Sequence, residues 1–350
     1  MRTATSACSN CGMEKRIVDI DVVRGFAVAG LPVVNLGLTV GKTHYPTAGP
    51  LASVIYDDLF LHRFVTIFTF LFGVSFALVL HGASERAARP RLVLVRRLVA
   101  LIAFGVFQLF LLDGNLQLFI YAVLGLVVLL PVSYLPRPAM PTIAVVLLLF
   151  SLPFAGEGLG VGAAVKLVSI SMALLVLGAS VVAYGIHADL PRRGPEIRTV
   201  FLIAAPLAVV TNVLNHGATT VFGSVIDELA MLSTSVAYVT GLLLLLRTRA
   251  RRPLVAVLSP LGRMALTNFL VQAAAATVFA AVVVDIRDWN YVAITFGLTI
   301  LFVAVQSVLC TLWLRRFRYG PFEWLWRCAT WLTVVPIGST PTLSSEGTPS

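Results

Sequence analysis

Apolar residues in this chain come in long unbroken runs, and charged residues fall almost entirely in the gaps between them. Runs of this kind read as transmembrane helices, because about 20 residues are needed to cross the hydrocarbon at 1.5 Å per residue. The pattern predicts spans over 22–40, 64–80, 98–112, 116–132, 142–154, 161–186, 200–214, 229–246, 264–284 and 292–314. Where a run falls short, flanking Thr, Ser and Gly complete the crossing. Asp113, Gly114 and Asn115 separate the third run from the fourth and read as a tight hairpin. The expected fold is all-α: a polytopic integral membrane protein of about ten transmembrane helices. Residues 1–19 form a tail with no apolar core for a cleavable signal peptide. Residues 20–336 form one membrane domain, and 337–350, rich in Ser, Thr, Pro and Gly, form a disordered tail. The segment 321–335, with Trp324, Trp326, Trp331 and Arg327, reads as a helix lying in the interface.

The sign of the charge alternates from gap to gap. Basic gaps hold Lys15, Arg16 and Arg24; Arg89, Arg91, Arg96 and Arg97; Arg137; Arg192 and Arg193; Arg247, Arg251, Arg252 and Arg263; and Arg315, Arg316 and Arg318. Between them lie Asp57 and Asp58, Asp113, Glu157, Asp227 and Glu228, and Asp285 and Asp288. Because Lys and Arg are retained on the cytoplasmic side of short loops, the alternation predicts that both termini are cytosolic and the acidic gaps face outward. Composition supports the class: 58% hydrophobic, 12% charged, mean hydropathy +0.93. A net charge of +10 suggests nucleic acid in a soluble protein. Here every basic stretch adjoins a span, so membrane lipid headgroups are the expected partners and nucleic acid is not.

Polar residues inside the spans carry more information. Asp21, Arg24 and Asn35 share a face of the first span, with Val28 and Leu31 between them. Asp21 and Arg24 can pair at the cytosolic mouth, and Asn35 lies roughly 16 Å deeper. Pro32 frees the carbonyl of Val28, inviting a kink lined by a cavity. The plainer alternative makes Arg24 a positive-inside anchor, Asn35 a helix-to-helix hydrogen bond and Pro32 a tolerated kink. Arg263, Thr267 and Asn268 form a polar face at the start of the ninth span, suited to a phosphate-bearing ligand or to lipid headgroups. Glu323 and Arg327, four residues apart, are expected to pair. Cys8 and Cys11 have the spacing of a half zinc site, but no second ligand pair follows, so no metal is expected.

The opening Asp19-Ile-Asp21-Val-Val-Arg24-Gly25-Phe26-Ala27, running on to Asn35, resembles that of the YeiB-like family of bacterial inner-membrane proteins. Phe68-Thr-Phe-Leu-Phe-Gly73, the pair Arg96-Arg97 and Tyr121-Ala-Val-Leu-Gly125 extend the resemblance. It is sharpest in Leu261-Gly-Arg263-Met-Ala-Leu-Thr267-Asn268-Phe-Leu-Val-Gln272 and Gly320-Pro321-Phe-Glu323-Trp324-Leu-Trp326-Arg327, which resemble that family's uncharacterised C-terminal domain, here roughly 200–336. The resemblance implies location in the bacterial inner membrane and a role described only loosely, as transport. Gln108 stands where these proteins commonly carry His.

More distantly, the opening is similar to membrane acyltransferases of the heparan glucosaminide N-acetyltransferase type. That likeness implies acyl transfer from cytosolic acyl-CoA, the donor, to a small-molecule, glycan or lipid acceptor at the outer face. Arg24 matches the arginine of the related O-acyltransferases, and Asn35 stands where their histidine would be. Such a reaction needs a base near neutrality, which His44 or His62 can supply, with Asp58 able to orient the ring. Each histidine can equally be an interfacial residue. Donor phosphates would be held by Arg24, Arg97 or Arg263. The competing readings are a small-solute transporter, for which Asp227 and Glu228 at the outer mouth are candidate ion sites, and a lipid-binding scaffold.

Overall fold

The computed structural model describes residues 10–44, 55–60, 62–85, 87–111, 117–154, 160–215, 221–282 and 291–338. These are helical throughout apart from turns and one isolated bridge between Phe317 and Gly338. The main helices are α1 (Asn10–His44), α2 (Arg63–Ser84), α3 (Pro90–Leu111), α4 (Gln117–Leu124), α5 (Ala139–Ser151), α6 (Val161–Ala183), α7 (Gly194–Asn215), α8 (Val221–Leu245), α9 (Arg251–Arg263), α10 (Ala265–Val282), α11 (Tyr291–Arg316) and α12 (Pro321–Trp331). A π-helical segment, Gly125–Leu129, prolongs α4, and another, Ile55–Phe60, precedes α2.

Six helices among the described residues are long and apolar enough to cross a membrane: Asp58–Ser84, Pro90–Phe110, Val161–Ala183, Gly194–Asn215, Val225–Leu245 and Phe296–Arg316. The pair α9 and α10 meets the same test only jointly and is bent by 81° at its junction, so the number becomes seven if the pair is one span. Gln117–Val132 and Ala139–Ser151, expected as the fourth and fifth spans, are shorter apolar helices. The apolar run marks both, but Pro131, Pro136, Pro138 and Pro141 around them limit continuous helix. In α1, side chains are described from Val18 to Asn35.

Lipid-facing and packed surfaces are equally apolar, so burial rather than hydropathy separates them. Ile203, Val209 and Val213 of α7, and Ile300, Leu301 and Leu309 of α11, are exposed outward. Leu31, Leu98, Leu101 and Phe269 are fully buried. Small residues set the closest approaches, as expected where apolar surface alone drives no association. A Cβ on Gly25 of α1 would collide with the Leu258 carbonyl of α9, and one on Gly262 would collide with the Asp21 carbonyl of α1. Gly73 and Gly178 make the same reciprocal contact between α2 and α6.

The α1–α9 contact has a consequence for chemistry. α9 is amphipathic, with Leu258 and Leu261 buried against α1, Arg251 paired with Asp19 of α1 at 3.1 Å, and Arg252 and Arg263 exposed. Docked through Gly25 and Gly262, it carries Arg263 to the neighbourhood of Arg24.

Pro32 also acts as its chemistry dictates. The Val28 carbonyl, left without its helical donor, accepts a hydrogen bond from Gln272 Nε2 at 3.1 Å. The same nitrogen donates to Gln306 Oε1 at 2.9 Å, so α1, α10 and α11 are tied together inside an otherwise apolar region.

Candidate functional site

A cavity of about 260 Å³ lies between α1, α2, α3, α9, α10 and α12. Four arginines line it: Arg24, Arg97, Arg263 and Arg327. Ser75 and Glu323 also line it, and the rest of its wall is mainly apolar, chiefly Phe68, Phe72, Phe76, Leu101 and Phe269. The lining thus combines cationic groups with aromatic and aliphatic side chains.

Each arginine is held differently. Arg24 Nη1 donates to Asp21 Oδ1 at 3.1 Å, the pairing their spacing predicts, and Nη2 donates to Ser75 Oγ of α2 at 3.0 Å. Arg97 lies flat over the indole of Trp326, 3.7 Å from the ring centre, and the Trp326 Nε1–H donates to the Arg97 carbonyl at 2.8 Å. α12 is thereby pinned to α3. Arg327 lies 4.4 Å from the Tyr319 ring, and the contact of Arg263 is a long hydrogen bond of 3.5 Å to the Arg318 carbonyl. Among the described residues Arg97, Arg263 and Arg327 have no carboxylate partner.

Glu323 also faces the cavity, but it does not pair with Arg327 as its spacing suggests. Its Oε1 accepts from the Leu266 N–H at 2.7 Å and the Thr267 N–H at 3.0 Å, and its Oε2 accepts from the Thr267 hydroxyl. Those two amides belong to the first turn of α10, where no helical carbonyl precedes them. The bend after Arg263 creates the orphan donors, and a carboxylate from α12 caps them, favoured further by the helix dipole. Burial pushes the Glu323 carboxyl up from its ordinary range, while its contacts with Thr267 and Leu266 pull it down in part. The two segments that carry the sharpest C-terminal resemblance thus meet at this one group.

The other residues singled out in the sequence lie apart from the cavity. Asn268 is buried, donating Nδ2 to the Leu261 carbonyl at 2.9 Å and accepting from Cys310 Sγ at 3.2 Å, so it joins α9, α10 and α11. Asn35 is buried in α1. Gln108 of α3 is fully buried, and neither of its side-chain polar atoms has a hydrogen-bond partner. His62 is exposed just before α2, with a positive φ of 64° that is uncommon outside glycine. The turn is held by Thr66, whose N–H and hydroxyl both donate to the His62 carbonyl, at 2.9 and 2.7 Å. The charges acting on the His62 ring are Asp227, Arg63 and Lys166. Asp58, in the preceding π-helical segment, is buried. The side chains of His44 and Asp57 lie outside the described residues, as do Cys8, Asp113, Glu157, His216, Asp285, Asp288 and the tail beyond Gly338.

Near His62 the structure adds a polar cluster with no motif in the sequence. Arg63 is buried and donates to Asn212 Oδ1 at 2.8 Å, and Asn212 Nδ2 donates to Thr234 Oγ1 at 3.0 Å. Glu228 is also buried, its carboxylate against Ser151 Oγ at 2.8 and 2.9 Å, while the more exposed Asp227 lies 3.9 Å from Lys166. Of the cavity residues, Ser75 was invisible to sequence reasoning, and Glu323, Trp326 and Arg327 were marked by an interfacial-helix pattern, an i,i+4 spacing and the C-terminal resemblance, but not as cavity residues.

Residues 181–333 match the family described as protein of unknown function (DUF418). The whole chain is similar to an uncharacterised 39.9 kDa protein of Bacillus acidopullulyticus, 29% identical over 93% of this chain and 96% of the relative. It is also similar to the uncharacterised protein YxaH of Bacillus subtilis, 28% identical over 92% of this chain and 96% of that one. No solved structure matches. The matched family segment contains Arg263, Glu323, Trp326 and Arg327, whereas Arg24, Ser75 and Arg97 come from the preceding part of the chain. Both parts are needed to build the cavity.

Proposed function

We propose that the protein transfers an acyl group from cytosolic acyl-CoA to an acceptor, a glycan, lipid or small molecule, at the opposite face of a bacterial inner membrane. The reading is carried by one observation: Arg24, Arg97 and Arg263, picked out singly from three separate gaps in the sequence, line a single cavity with an apolar throat. The guanidinium groups suit the phosphates of CoA, and Phe68, Phe72 and Phe76 suit its acyl chain. In this scheme about ten spans cross the membrane and both termini are cytosolic, following the alternation of loop charge. An impermeant maleimide tests that topology: Arg193→Cys should label only after the membrane is opened.

The chemistry needs a base at the acceptor. His62, or His44, takes the proton from the acceptor hydroxyl or amine; the acceptor oxygen or nitrogen then attacks the thioester carbonyl, the carbon–sulfur bond breaks, and CoA leaves as the thiol with the released proton. His62 is thirteen residues from Ser75, roughly 20 Å along α2. Between them stand Phe64 and Phe68, the latter stacked on Phe269 at 5.7 Å. Transfer therefore requires these rings to move aside so that acyl chain and acceptor meet.

The assay is binding of lauroyl-CoA and release of free CoA thiol by purified protein. Arg97→Gln should weaken binding, and His62→Ala, or His44→Ala, should keep binding and lose turnover. No binding of acyl-CoA by the unaltered protein would reject the reading. The outcome would then favour solute transport, which the 81° break between α9 and α10 also suits.

A further inference from the structure

The charges around the cavity constrain its ligand more tightly than the reaction class does. Arg24 is partly satisfied by Asp21, and Glu323 is consumed by the first turn of α10. Three guanidinium groups remain, those of Arg97, Arg263 and Arg327, none within ion-pair distance of a carboxylate among the described residues, although the Asp21 carboxylate also attracts Arg263. Arg97 is also held against the Trp326 ring while lining the cavity, so its charge is fixed in place there. Cations drawn together at the edge of an apolar region repel one another, and Arg97 is half-buried as well; an anion of matching charge relieves the repulsion.

A carboxylate brings one negative charge and a phosphate monoester up to two. A terminal diphosphate brings a further charge and enough oxygens for three guanidinium groups at once. Size adds a second constraint. At about 260 Å³ the cavity is at the small end of ligand sites, which span roughly 300–1,000 Å³. That volume suits a charged head and the start of a chain better than a whole nucleoside-bearing ligand.

We infer that this cavity recognises a diphosphate group joined to an apolar chain, and reads its charge rather than any attached nucleoside. The inference builds on the anion-site reading used above. Two sources offer such a group: a polyprenyl diphosphate of the bilayer, whose terminal diphosphate supplies the extra charge, and acyl-CoA, whose internal diphosphate carries one charge per phosphorus and is linked through pantetheine to the acyl group. For the first, lateral entry from the membrane would replace entry from the cytosol.

The test is a binding series on the full chain in detergent micelles at low salt, using farnesyl diphosphate, farnesyl monophosphate, laurate and lauroyl-CoA. Farnesyl diphosphate should bind at least about tenfold more tightly than the monophosphate, with laurate weaker again, and the difference should shrink in high salt. Arg97→Gln and the exposed Arg327→Gln should each remove most of the discrimination between diphosphate and monophosphate; Arg327→Gln leaves the helix contacts of α12 intact and so guards against a folding artefact. Laurate binding as tightly as farnesyl diphosphate would overturn the inference. Lauroyl-CoA binding without competition by farnesyl diphosphate would overturn it too while leaving acyl transfer standing. Binding of farnesyl diphosphate but not lauroyl-CoA would uphold it and remove acyl-CoA as the donor.

Discussion

Glu323 offers the sharpest test of how the cavity is built. Replacing it by Ala uncovers the Leu266 and Thr267 amides at the bend between α9 and α10. A buried donor left unsatisfied costs about 1–3 kcal/mol. Two such amides, partly rehydrated from the adjoining cavity, give an expected loss of about 2–4 kcal/mol for Glu323→Ala. Gln should behave differently. Its amide oxygen can accept both backbone N–H groups, and its amide nitrogen can donate to the Thr267 hydroxyl, so Glu323→Gln should cost less than about 1 kcal/mol.

The pH dependence follows from the raised carboxyl. A carboxyl that holds its proton more tightly in the folded than in the unfolded chain gives stability that is fully present below its unfolded value. That stability is lost as pH rises through the folded value. The unaltered protein should therefore weaken relative to Glu323→Gln as pH climbs above the ordinary glutamate range, near 4.5. Thermal unfolding in micelles across pH, followed by intrinsic tryptophan fluorescence, measures both effects. Equal losses for the Ala and Gln variants would refute the capping argument, and a difference between the unaltered protein and Glu323→Gln that does not change with pH would refute the raised carboxyl.

Two further outcomes follow from helix contacts. Arg24→Ala leaves Asp21 as a poorly solvated carboxylate and should cost a few kcal/mol, of which adding Asp21→Asn recovers part; strictly additive losses in a double-mutant cycle would show that the 3.1 Å pair carries no coupling. Gly262→Ala sets a methyl against the Asp21 carbonyl and should separate α1 from α9, lowering the unfolding temperature and also weakening anion binding, because Arg263 moves with α9; unchanged anion affinity in a destabilised variant would disconnect the two effects.

Much of this organisation is legible in the chain. Long apolar runs and charge confined to the gaps give a helical membrane protein, because an unpaired peptide group in hydrocarbon leaves helix as the way to bridge each run. The three-residue spacing of Asp21 and Arg24 gives their pairing, and Pro32 gives a carbonyl in need of a donor. Three arginines next to spans give anion-binding candidates. Other features misled for stated reasons. Glu323 and Arg327 have the spacing of an ion pair, but local spacing carries no information about the orphan amides that the bend creates at the start of α10, and those amides bind the carboxylate more directly.

The sequence by itself therefore determined the helical class of the protein, the Asp21–Arg24 pairing and the residue types able to hold an anion, because these depend on periodicity and on neighbours within a few positions. Tertiary structure alone decided that Arg24, Arg97, Arg263 and Arg327 surround one cavity, that Trp326 fixes Arg97, and that Gln272 answers Val28 across 244 positions. The physical reason is that lipid-facing and packed surfaces are alike in hydropathy. Which faces meet is set by small-residue contacts such as Gly25 with α9, and by scattered polar groups that find partners only when the helices are assembled.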